Sequence, residues 1–99
     1  LTTALIPIGC RVVNVITASQ SNGGSTDISI YKPTLYNQNV STSTPLGTVT
    51  IASHSSLTTY TSTFDSATYD FAAGDRLGVT VESTTNLNGL SLTILLKKI

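Results

Sequence analysis

Arg76-Leu77-Gly78-Val79-Thr80-Val81-Glu82-Ser83 decides the fold class, because apolar and polar residues alternate along it one by one. Period two belongs to a β-strand, whose successive side chains leave opposite faces. Leu77, Val79 and Val81 are therefore expected inward, and Arg76, Gly78, Thr80 and Glu82 outward. The pattern returns at the end of the chain, where Leu90, Leu92, Ile94 and Leu96 alternate with Ser91, Thr93, Leu95 and Lys97. It returns again over Thr26–Lys32, with Ile28 and Ile30 inward and Asp27, Ser29 and Tyr31 outward. Arg11–Ala18 is apolar at Val12, Val13, Val15 and Ile16, which predicts a central strand covered on both sides. Weaker strands are predicted at Ala4–Ile8, Leu46–Ala52, Leu57–Phe64 and Ala67–Phe71.

No segment has a helical period, and the Thr, Val and Ile content favours strands because branching at Cβ suits a pleated surface. Turn-forming clusters separate the runs: Ser19–Ser25, Ala72–Asp75 and Thr84–Gly89. Pro33–Pro45 reads as a long loop with an edge strand around Leu35-Tyr36, since proline lacks the donor a ladder needs. About eight short strands on this spacing predict an all-β chain, an antiparallel β-sandwich or jelly-roll-like fold, with residues 1–99 forming a single domain.

Composition narrows the function. Five basic and five acidic residues in 99 give a formal net charge of zero. A nucleic-acid partner is not expected, because that requires clustered Lys and Arg to displace counterions. A membrane partner is not expected either: no apolar run approaches the ~20 residues that span a bilayer. No basic segment followed by an apolar one opens the chain, so no signal peptide is visible. One cysteine allows no internal disulfide and no cysteine-based zinc cluster.

Catalysis is not expected, and no cofactor or metal is predicted. His54 is the only histidine and lies in Ser53-His54-Ser55, with no Gly-x-Ser-x-Gly elbow in the chain; it reads as a solvated loop residue. Asp65, Asp70 and Asp75 recur every five residues, unlike the close spacing of a calcium loop, and read as turn-capping groups. Cys10 precedes an apolar strand and reads as a small buried hydrophobe. Asn39-Val40-Ser41 fits the N-glycosylation pattern, a triplet common by chance in a chain with 13 Ser and 18 Thr. Among four tyrosines, Tyr31 and Tyr36 flank Pro33 at the start of the proline loop and are the candidates for contact with a partner or a glycan. Thr48 and Thr50, and Thr59, Thr61 and Thr63, place hydroxyls where exposed strands usually carry charges, which suggests a surface that meets other subunits.

Phe71-Ala72-Ala73-Gly74-Asp75 running into the decisive strand, and Gly89-Leu90-Ser91-Leu92-Thr93-Ile94-Leu95 after a polar loop, resemble segments of a small β-sandwich module of bacteriophage head and tail accessory proteins. Ile6-Pro7-Ile8-Gly9-Cys10-Arg11-Val12-Val13-Asn14-Val15 is similar to its opening turn and first long strand, and Gly23-Gly24 before Asp27–Lys32 to a further strand. Pro33-Thr34 stands where the family commonly has Asn-Gly. The resemblance implies a non-enzymatic virion structural protein on the particle exterior: a capsid decoration (cement) protein or head-fibre subunit. Its partners would be the major capsid protein or other virion proteins, and it would be a homo-oligomer, as a trimer. The alternative is a tail-fibre module that recognises host-surface carbohydrate.

Overall fold

The computed structural model describes residues 3–33, 44–83 and 86–99. These residues form ten strands: β1 Thr3–Leu5, β2 Cys10–Ser19, β3 Ser21–Asn22, β4 Thr26–Tyr31, β5 Gly47–Ile51, β6 Thr58–Thr63, β7 Asp70–Phe71, β8 Arg76–Ser83, β9 Leu87–Asn88 and β10 Ser91–Lys98. One sheet has the order β1-β8-β4-β5; the other has β10-β2-β6, with β7 also pairing β2; β3 and β9 form a short ribbon. Every pairing is antiparallel. The two larger sheets pack face to face, so the chain is an all-β sandwich.

The core is built from the inward stripe of each sheet. Cys10, Val12 and Val15 of β2 and Phe71 of β7 meet Ile30, Val49 and Leu77 from the opposite sheet, with Ile6 closing one side. Leu92 and Ile94 of β10 and Val79 of β8 pack on this cluster while keeping some exposure. Completely burying an Ile or Phe side chain contributes roughly 1.5–3 kcal/mol, so these few residues carry much of the stability.

β2 is central, as its apolar content predicts, but it is covered on one face only. Its pairing with β10 runs Leu95↔Asn14 and then Leu96↔Val12, which leaves Val13 as an extra residue. This bulge flips the phase of the alternation. Cys10 and Val12 point inward before it, and Val15, Thr17 and Ser19 point inward after it. A single buried face with a bulge and a strand buried on both faces give the same apolar run.

β4 shows the opposite correction. Asp27 is exposed as expected, yet Ser29 and Tyr31 are buried. Ser29 lies between Thr48 and Thr80 in register, and its hydroxyl is 2.9 Å from that of Thr48. Tyr31 lies opposite Gly78, whose missing side chain leaves space beside it. Val81, expected inward, is 46% exposed although it sits opposite buried Ile28. Among the described residues β1 reaches only as far as Gly78, and the second half of β8 has a neighbour on one side alone. Leu96 is half-exposed for the same reason, since β10 is an edge strand.

Ala67–Tyr69 is a 3-10 turn, and only Asp70–Phe71 of that predicted strand pairs. Pro7 shortens the predicted Ala4–Ile8 strand to β1. Two predicted turn clusters pair with each other as β3 and β9. The Ala72–Asp75 turn forms as expected: Gly74 has φ +91°, the Asp75 N–H donates to Ala72 O, and the Asp75 carboxylate accepts the Ala72 N–H at 2.8 Å. The predicted edge strand at Leu35-Tyr36 lies outside the described residues.

Candidate interaction surface

The outer face of the β10-β2-β6 sheet carries three register rows: Ser91–Ala18–Thr59, Thr93–Ile16–Thr61 and Leu95–Asn14–Thr63. None of these nine side chains is charged. With strands about 4.8 Å apart and a rise of about 3.3 Å per residue, the array is about 10 Å by 13 Å. The β6 and β10 residues of the array are exposed and the β2 residues between them half-buried. Asn14 Nδ2 donates to Thr63 Oγ1 at 3.2 Å, tying two rows of the surface together.

An ion cluster closes one end of this array. Arg11 Nε donates to Asp70 Oδ1 at 2.7 Å and its Nη2 to Oδ2 at 3.3 Å, a forked pair that fixes both groups. Asp65 lies 3.6 Å from Arg11 and 3.4 Å from Lys97. The hydrogen bond from Arg11 holds the Asp70 carboxyl below the usual aspartate range, against the smaller opposing effect of desolvation. The same bond raises the Arg11 guanidinium. Nearby, Lys32 donates to the Asp70 carbonyl, sits 4.8 Å above the Phe71 ring and lies 3.9 Å from Asp75. The three regularly spaced aspartates thus have cationic neighbours. Asp75 also caps its turn, as the sequence suggests, whereas Asp65 and Asp70 are ion-paired. Among the described residues no group of three metal-binding side chains converges, and no helix is long and apolar enough to cross a membrane.

His54 is not a solvated loop residue. Its backbone bridges to Asn22, with both N–H···O contacts at 2.9 Å. Nδ1 is 2.8 Å from Ser56 O and Nε2 is 2.8 Å from Ser19 Oγ. A carbonyl only accepts, so Nδ1 carries the proton and Nε2 accepts from the serine hydroxyl. The order Ser–His–carbonyl has the form of an activated nucleophile. Ser19, however, is 1% exposed, so its hydroxyl is spent inside the fold. The arrangement anchors the loop between β5 and β6 to the end of β2.

Asn22 is the residue that sequence reasoning left among turn formers. It is buried; its Nδ2 donates to Ile51 O at 3.1 Å and its Oδ1 accepts from Thr26 Oγ1 at 3.3 Å. Its position in Asn22-Gly23-Gly24 signals a turn but not a burial site. Cys10 is buried, and burial, with a smaller contribution from Asp70, pushes its thiol up, away from the reactive thiolate. Of the candidate contact tyrosines, Tyr31 is 6% exposed and offers no flat ring to a sugar, and Tyr36 lies outside the described residues. Comparisons with family models, with curated proteins and with solved structures find no match for this chain.

Proposed function

We propose that this chain is a non-enzymatic structural subunit of a bacteriophage particle, a capsid decoration or head-fibre protein that docks in many copies on the particle exterior. The observation that carries the docking role is the uncharged, hydroxyl-rich outer face of β10, β2 and β6. Burying a hydroxyl costs less than burying a charge, and one backbone group on a partner satisfies it. The neighbouring cations and carboxylates are already paired with each other, which lowers the electrostatic cost of covering that end. The phage assignment rests on the resemblance of Phe71–Ser83 and Gly89–Leu95 to the accessory-protein module. Repetition across a symmetric shell raises avidity, so a contact of modest area per copy suffices.

Mass spectrometry of purified virions from a phage encoding this chain is expected to find it at high copy number. Particles that lack it while the protein is expressed in the infected cell would reject the reading. Thr61→Glu and Thr93→Glu, both on the outer face, are expected to lower occupancy on the particle without altering the circular dichroism spectrum.

A further inference from the structure

Among the described residues the sandwich has four outer edges, and two of them are guarded. β1 is three residues long, and β10 ends in Lys97-Lys98. β5, five residues long, is the shorter of the two remaining edges. β6 is six residues long and has no charge, no proline and no bulge in its pairing with β2. Short strands, charges, prolines and bulges are the devices by which sheets avoid adding strands at their edges. β6 has none of them.

Its hydrogen-bonding groups can be assigned. The Phe64 N–H donates to Val13 O at 2.8 Å, so Phe64 faces β2. In an antiparallel ladder alternate residues turn the same way. Ser62, Tyr60 and Thr58 therefore bond β2, while Thr59, Thr61 and Thr63 direct their N–H and C=O groups away from it. All three threonines are exposed, and among the described residues no backbone partner meets them on that side.

We infer that this edge pairs with the same edge of a second copy, antiparallel and centred on Thr61. A two-fold axis there puts Thr61 opposite its own copy and Thr59 opposite Thr63, which gives six backbone hydrogen bonds in three closed pairs. On the outer face the partners form a ladder of threonine against threonine, a favourable cross-strand combination. Asp65, already beside Arg11 and Lys97, falls opposite Leu57, so no like charges meet. Leu57, 72% exposed, gains a covering segment. The result is one continuous sheet in the order β10-β2-β6-β6-β2-β10, with a hydroxyl face twice as wide. The contact is two-fold, unlike the trimer suggested by symmetry of fibres and shells, and it stands on strand geometry rather than on the phage assignment.

Analytical ultracentrifugation across a concentration series tests it on the full chain. The wild type is expected to reach twice the 10.3 kDa chain mass. Thr61→Pro removes only a donor that faces outward, and Thr61→Lys sets two cations against each other at the axis. Both are expected to remain monomeric with an unchanged β-sheet spectrum. Thr61→Cys is expected to cross-link under oxidation, because facing residues of a hydrogen-bonded pair lie about 5.5 Å apart, within disulfide reach. Thr59→Cys is not, since its own copy lies about 13 Å away along the strand. A monomer at every concentration, a trimer, an open polymer, or a dimer unaffected by either Thr61 substitution overturns the inference. Should both substitutions unfold the chain, the cysteine pair decides alone. A dimer absent from virions would reject the phage role and leave the contact standing.

Discussion

Thr17 shows how a single side chain deviates from the logic of its strand. It is 1% exposed on the inward stripe of β2, and among the described residues its Oγ1 has no hydrogen-bond partner. A buried hydroxyl left unpaired costs about 1–3 kcal/mol. Thr17→Val keeps the branched shape and removes the hydroxyl, so it is expected to raise stability by about 1 kcal/mol in urea unfolding. Asn22→Leu is expected to do the reverse, by roughly 2 kcal/mol or more, since it strips donors and acceptors from buried Ile51 O and Thr26. Asp70 gives a pH dependence of defined sign. Its carboxyl is held low in the folded state, chiefly by the Arg11 hydrogen bond. The stabilisation is therefore complete above the unfolded-state aspartate value, about 3.9, and is lost as the pH falls through the lower folded-state value. Thermal melts of Asp70→Asn from pH 6 to pH 2 are expected to lack the part of the acid-induced decline that the parent owes to this group.

At the scale of an element, β2 carries the most demanding feature. The bulge at Val13 lets Val12 and Val15 point the same way although three positions separate them. Deleting Val13 would restore an unbroken ladder and turn either Cys10 and Val12, or Val15, Thr17 and Ser19, outward. That deletion is expected to abolish the cooperative unfolding transition, whereas Val13→Ala, which keeps the bulge, is expected to retain it. The sequence made β4, β5, β6, β8 and β10 legible within about two residues at each end, because alternation survives wherever one face is buried and the other wet. It misplaced Ser29 and Tyr31, since their burial depends on what β8 and β5 set beside β4. It also could not show that Ser21-Asn22 pairs Leu87-Asn88, because two-residue strands have no period.

At the scale of the molecule, the chain must bring distant segments together. β2 pairs with β10 across most of the sequence, and β1 pairs with β8. Such topology favours folding in about milliseconds to seconds, with little stable structure before the sheets close. A chain ending after Gly89 lacks β10, which leaves β2 without its outer neighbour and removes Leu92 and Ile94 from the core. It is expected to show no native sheet signal by circular dichroism, although β6 could still pair with β2.

The sequence by itself determined that this chain is all-β, where its six longest strands lie, that its surface is rich in hydroxyls, and that its charges balance. These properties follow from period, branching at Cβ and composition, all of which are local. Tertiary structure alone decided that the bulge in β2 reconciles two phases, that Arg11, Lys97, Asp65 and Asp70 form one cluster, that His54 is locked to Ser19, and that β6 is an unguarded edge. Each of these depends on which strands lie side by side, and strand order is set by the packing of the whole sandwich, which no local pattern encodes.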